Sequence, residues 1–190
     1  MADPARSAQR RPALAEPPRV RQGVSIKVLP AETRFSLRFP IGAAPSEVAG
    51  FRLNMAINRL EIEGARWCAR LGPNEWLLAG PEAETDAIAQ EIATALAGKI
   101  HGLTDISHRQ VAFEIAGAEA AAVINAGCPR DLSEKAFPAG SATRTLLGKV
   151  EIILTRPGSD PAFRIECWRS FSRYIHDFLA EAALDCPAIA

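Results

Sequence analysis

The sequence has no charge excess of either sign: 22 Lys and Arg are matched by 22 Asp and Glu over 190 residues. A neutral chain has no overall field to draw it toward nucleic acid or an anionic membrane, so its partners are expected to be recognised by shape and local polarity. Long apolar runs are missing as well. None approaches the roughly 20 residues that span a bilayer, and a soluble, cytoplasmic protein is expected. The four cysteines, Cys68, Cys128, Cys167 and Cys186, include no pair at CxxC spacing, which removes the usual zinc and redox signatures. Three of them stand in or beside apolar runs. They read as reduced core or near-core thiols in a chain whose core needs no disulfide staples.

Chemical signatures are equally scarce. No GxGxxG follows a strand, so the chain carries no dinucleotide fingerprint of its own. Gly148-Lys149 does not complete a phosphate-binding loop, because Thr143 stands at the first glycine position of GxxxxGK[ST] and Val150 at the Ser/Thr position. Asp105, Ser107 and His108 are the residue types of a hydrolase triad, but neighbours on one strand point to opposite faces, and no GxSxG elbow accompanies them. A hairpin turn with local polar contacts is the expected reading. His101, His108 and His176 have no metal-ligand spacing and read as surface residues. No catalytic, cofactor-binding or metal-binding residue is assigned to this chain.

What the sequence does contain is a succession of short amphipathic segments. Residues 1–23 are rich in Arg, Ala and Pro and poor in large apolar side chains, which predicts a flexible arm. No apolar stretch follows Arg10-Arg11 before Pro17-Pro18, so an export signal is not expected. Residues 24–190 are expected to form a single domain. Its early strands are SIKVL and RFSLRF, and alternation of Phe51, Leu53, Met55 and Ile57 predicts another. ARWCARL and EWLLA flank Gly72-Pro73-Asn74 as a hairpin. Pro81 then opens a helix with Ile88, Ile92 and Leu96 at i, i+4 and i+8, stopped by Gly98.

The order of strand, strand and helix recurs twice. Residues 103–106 and 110–115 flank Ser107-His108-Arg109 and precede a helix over 118–126 closed by Gly127. Residues 150–155 and 162–168 flank Pro157-Gly158-Ser159-Asp160 and precede a helix over 170–184. That helix has Ser170 as N-cap and Phe171, Tyr174, Ile175, Phe178, Leu179 and Ala182 on one face. Gly148 marks a tight turn before residues 150–154. Three ββα-like units predict an α+β fold, an antiparallel sheet with helices packed on one face.

Two stretches suit recognition. The loop over 128–140 sets Leu132 and Phe137 among prolines and charges, as in ordered loops that either cap the chain's own core or present anchors to a partner. Arg169 precedes the last helix, where one reading is an anion held with the helix N-terminus and the other is a simple Ser170 cap.

Five segments, LGPNEWLL, DISHRQVAFEIAG, AGCPRDLSEKAFPAG, RTLLGKVEIILTRPG and FRIECWRSFSRYIHDFL, resemble in order and spacing the gamma subunit of heterotetrameric sarcosine oxidase. CPxDL…FPxG and TLLGK are the most specific of the matching patterns. The resemblance implies a fold like the folate-binding aminomethyltransferase domain and a non-catalytic place in a complex with alpha, beta and delta subunits. That complex oxidises sarcosine to glycine and hydrogen peroxide, and the methyl carbon passes to tetrahydrofolate, giving 5,10-methylenetetrahydrofolate, or leaves as formaldehyde. FAD, FMN and NAD are implied in the alpha and beta subunits, zinc in delta, and tetrahydrofolate likewise outside this chain. The residues expected at the subunit interface are Cys128, Pro129, Asp131, Phe137 and Pro138 in the loop, Leu147 and Gly148 in the turn, and Arg169 and Phe171 at the last helix. Two alternatives stay open: a stand-alone folate-binding, aminomethyltransferase-like module, and the equivalent subunit of an N-methylglutamate dehydrogenase-type complex.

Overall fold

A computed structural model describes residues 11–186 of the chain. Strands β1 (Arg19–Arg21), β2 (Val24–Val28) and β3 (Glu32–Arg38) come first, followed by a small hairpin of β4 (Glu47–Val48) and β5 (Phe51–Arg52). A meander of β6 (Arg59–Glu63), β7 (Arg66–Gly72) and β8 (Glu75–Pro81) leads into helix α1 (Thr85–Ala95). After β9 (Gly102–Asp105), β10 (Gln110–Ala116) and the short α2 (Ala120–Asn125), the chain finishes with β11 (Ser141–Leu147), β12 (Val150–Arg156), β13 (Ala162–Trp168) and α3 (Ser172–Ala182). All strands but β4 and β5 join one sheet in the order β1-β2-β10-β13-β12-β11-β6-β7-β8-β3-β9, and every pairing is antiparallel. Among the described residues no helix is long and apolar enough to cross a membrane.

The two-residue period of the strands gives each of them two distinct faces. On β8, Trp76 and Leu78 pack with Ile88, Ile92 and Leu96 around α1, while Leu77 and Ala79 point the other way. On β13, Phe163, Ile165 and Cys167 pack with Ile175 and Leu179 of α3. The ladder register carries one helix-covered face into the other, so the helices share one side of the sheet. The helix-free side is curled on itself: Leu60, Trp67, Leu77, Ile106, Ala142 and Ile153 close one apolar cluster there. Strands buried on both sides read as near-continuous apolar runs, which is why EWLLA and EIILT show little alternation.

Inside that fold lies a quartet of charges. Arg34 of β3 donates from Nε to Glu166 Oε2 at 2.8 Å and from NH2 to Oε1 at 3.1 Å, although β13 is not a neighbour of β3 in the sheet. Arg164 donates to the same Glu166 at 2.8 Å through Nε and also binds Glu32. The Arg164 guanidinium lies over the Trp67 ring at 4.8 Å. Arg34 and Glu166 are 1% and 0% exposed, so each charge depends on the others for solvation. Burial pushes the Glu166 carboxyl up, but Arg164 and Arg34 outweigh it and hold it below its ordinary 4.5.

Several sequence expectations change in three dimensions. Residues 1–10 of the expected arm lie outside the described residues, but part of its remainder is built into the fold. Arg19–Arg21 pairs with β2 as an edge strand, Leu14 joins the main core, and Glu16 meets Arg173 at 2.5 Å. A short segment needs little apolar surface of its own when an existing sheet edge supplies its hydrogen bonds. The strand expected through Phe51, Leu53, Met55 and Ile57 stops at Arg52, because no ladder partner follows and Asn58 turns the chain at φ +64. Leu53 and Met55 are buried nonetheless, and their carbonyls accept from Trp76 Nε1 and Arg70 NH1, whereas Ile57 is exposed.

Ser107-His108-Arg109 is not a hairpin turn, since β9 pairs with β3 and β10 with β2 and β13. The segment crosses the mouth of the curled sheet, pinned where Arg34 N donates to Ser107 Oγ at 2.9 Å. Ser170 makes no cap bond. A 3-10 turn over Arg169–Phe171 places Phe171 at the N-cap position and rotates α3, so that Ser172, Ile175, His176 and Leu179 are buried while Phe171 and Tyr174 face outward. His176 is therefore a core residue, not a surface one.

Removing one partner from the quartet leaves an uncompensated buried charge, so Glu166→Gln or Arg34→Met should destabilise the chain by about 3–5 kcal/mol in urea unfolding. A carboxyl whose pKa is depressed in the folded state contributes stability that is fully present above its unfolded pKa and lost as the pH falls through the folded one. Wild-type unfolding free energy should accordingly hold above pH 4.5 and decline below it, and Glu166→Gln should flatten that decline.

Candidate functional site

The loop over 128–140 is held from both ends. Asn125 Nδ2 donates to Cys128 O at 3.0 Å and Arg130 O at 2.6 Å, which turns the chain out of α2. Asp131 Oδ1 accepts from Ser133 N at 2.9 Å, and the backbone and side chain of Ser133 draw the Asp131 pKa below its ordinary value. Phe137 N donates back to Ser133 O at 2.8 Å, and Arg156 NH1 to Phe137 O at 3.2 Å. Leu132 and Phe137 are 2% and 1% exposed, and the Phe137 ring packs on Phe163. The loop thus caps the chain's own core.

That placement divides the expected interface residues. Cys128, Phe137 and Leu147 lie in the main core and cannot touch a partner without unfolding the region, because their side chains are already in contact within the chain. Pro129, Asp131, Pro138, Gly148, Arg169 and Phe171 are exposed. Gly148 adopts φ +59 in the β11–β12 turn, with Tyr174 over its α-carbon, so a side chain there would meet both backbone strain and a clash. Arg169, in the turn before α3, donates to His108 O at 3.4 Å.

The residues with chemical potential are consumed structurally. Ser107 Oγ lies 2.5 Å from Asp105 Oδ1, which also accepts from Ser107 N in a local turn. All four cysteines are buried without a disulfide, and burial drives the Cys167 thiol up to about 12 and Cys68 up further still. Such thiols are poor nucleophiles. Glu75, held below its usual range chiefly by Arg144, is shared between Arg144 at 2.8 Å and Arg38 at 2.9 Å. Among the described residues no three His, Cys, Asp or Glu side chains converge as a metal site.

Residues 39–185 match the model of the sarcosine oxidase, gamma subunit family. The chain belongs to that family. The gamma subunit from Arthrobacter sp. is 34% identical over 88 residues, covering 46% of this chain and 42% of that protein. The one from Corynebacterium sp. (strain P-1) is 30% identical over 112 residues, 59% of this chain and 54% of that one. Aligned stretches therefore span about half the length of these two relatives. The gamma subunit from Corynebacterium sp. (strain U-96) aligns over 175 residues at 27% identity, 88% of this chain and 82% of the relative.

In three dimensions this family member superposes on a chain of heterotetrameric sarcosine oxidase from Corynebacterium sp. U-96, solved with pyrrole 2-carboxylate. The TM-score is 0.75 at 24% identity, over 88% of this chain and 87% of that one. Aminomethyltransferase T of the glycine cleavage system from Bartonella henselae gives a TM-score of 0.64 at 14% identity, over 83% of this chain and 45% of its own. At these identities the likeness is one of fold. It agrees with the α+β architecture and the aminomethyltransferase-like domain expected from the sequence.

Phe137→Ala should cost the isolated chain about 3–5 kcal/mol in chemical denaturation, the usual loss for a buried phenylalanine. Pro129→Ala and Asp131→Asn, on the exposed side of the same loop, should each change it by less than about 1 kcal/mol.

Proposed function

We propose that this chain is a non-catalytic subunit of a heterotetrameric sarcosine oxidase, assembled in the cytoplasm with alpha, beta and delta subunits. The complex converts sarcosine to glycine and hydrogen peroxide and hands the methyl carbon to tetrahydrofolate. The observation that carries this reading is family membership over residues 39–185, in a chain whose buried charges are consumed in holding its own sheet together. FAD, FMN, NAD, zinc and tetrahydrofolate are assigned to the partner subunits. Among the described residues of this chain no three His, Cys, Asp or Glu side chains are grouped to hold a metal. Its contribution is positional: a rigid, doubly packed sheet fixes neighbouring subunits so that the reactive one-carbon intermediate is kept from water.

The fold shared with aminomethyltransferase T favours a second reading, a folate-binding module, although that match covers 45% of the transferase. One experiment separates the two. Co-expression of alpha, beta and delta with and without this chain, followed by gel filtration and a sarcosine-dependent peroxide assay, should show loss of the flavin-bearing complex or of its activity when the chain is omitted. Calorimetry of the isolated chain with tetrahydrofolate should show no binding. Binding by the isolated chain, together with a complete and active complex in its absence, would select the folate module instead.

A further inference from the structure

The aromatic side chains that the described chain leaves exposed are Trp168, Phe171 and Tyr174, at 48%, 43% and 40%. They belong to one end of the sheet. The register Ile152↔Cys167 puts the Gly148-Lys149 turn at the same end as Trp168, and Arg169 N donates to Arg109 O at 2.7 Å, which brings the β9–β10 crossing there too. Tyr174 lies over that turn, with Lys149 N donating to its hydroxyl at 3.4 Å. Leu146, 47% exposed, stands two residues before Gly148. The Arg109 guanidinium stacks on Trp168 at 5.6 Å.

The charge left unpaired around this end is positive. Arg109, Arg169 and Lys149 form no ion pair among the described residues. Arg173 is matched by Glu16 at 2.5 Å and Asp177 at 3.6 Å, and the nearby Glu151 faces Arg144 at 3.6 Å. Glu75, within the field of Arg109, is already held by Arg38 and Arg144. Unmatched arginines beside exposed Trp and Tyr are the composition of a protein interface centre, and their sign asks for carboxylates opposite. Scattered single residues such as Ile41 and Ile100 have no such surroundings.

We propose that this end of the sheet, formed by Trp168, Arg169, Phe171, Tyr174 and Arg109, is where the chain docks on an acidic, apolar-centred face of another subunit of its complex. The proposal rests on the subunit reading above and adds to it the surface and the chemistry of what covers it. Aromatic rings supply buried area with few rotatable bonds, and the arginines fix register and accelerate encounter.

The test is assembly of the full chain with its alpha, beta and delta subunits, measured by gel filtration and by titration at low and high salt. Wild-type affinity should fall as salt is raised. The double variant Arg109→Glu/Arg169→Glu should weaken assembly by about tenfold or more, as should Trp168→Ala/Phe171→Ala. Both should keep the wild-type circular dichroism spectrum and unfolding midpoint, since the replaced side chains are exposed. Ile100→Ser, at the far end of β9 from His108, should assemble as wild type. If wild type assembles and both double variants do so equally well, or if the affinity ignores salt, the docking surface is elsewhere and only this proposal falls. A self-associating chain whose dimer the Trp168→Ala/Phe171→Ala variant dissolves would assign the face to a second copy and overturn it. Failure of the wild type to assemble would remove the subunit reading along with it.

Discussion

Two arginines and two glutamates, shut between strands that are not neighbours in the sheet, set the shape of this protein. A guanidinium removed from water is tolerable only beside a carboxylate that accepts its hydrogen bonds, and Glu166 accepts from both Arg34 and Arg164. Because those arginines come from β3 and β13, their pairing requires the sheet to curl until its two halves meet. Flattening the sheet would strand every member of the quartet. The apolar cluster of Leu60, Trp67, Leu77 and Ile153 favours the same curl without selecting its register, whereas the bidentate geometry of an arginine does.

Once the helix-free face is closed, the helices have one side left to cover. Helix α1 packs over β3, β7 and β8, and α2 and α3 pack over β2, β10, β12 and β13, giving two cores on a single sheet surface. Strands β8, β12 and β13 are then buried on both sides over most of their length, while β6 stays largely exposed. Polar chemistry is pushed to the rims: the turn at Gly148-Lys149, the crossing at Ser107–Arg109 and the junction before α3. Recognition has to use those rims, since the interior is filled by the chain's own side chains.

The fold shared with aminomethyltransferase T is packed through its interior in this chain. The same architecture can be lined for a ligand or packed solid, and here Trp67, Arg164 and Glu166 occupy the interior between the half-sheets. A packed interior favours rigidity over binding.

Much of the secondary structure was legible from local pattern. Ile88, Ile92 and Leu96 declared α1, EWLLA and residues 150–155 declared strands, and the loop over 128–140 declared itself ordered, because each of these signals depends on residues a few positions apart. Family membership was legible for a similar reason, through CPRDL, FPAG and TLLGK in the right order. The rest was not. Whether Phe137 faced inward or outward, whether Ser107 sat in a hairpin or a crossing, and which way α3 turned its aromatic residues all depended on contacts between segments far apart in the chain. Arg34 and Glu166 are separated by 132 positions and look like ordinary exposed charges in their strands. By itself the sequence determined most of its elements, their alternating faces and its family. Only the tertiary structure decided which charges met in the interior and which aromatics were left outside, because register between distant strands is settled by packing and pairing in three dimensions.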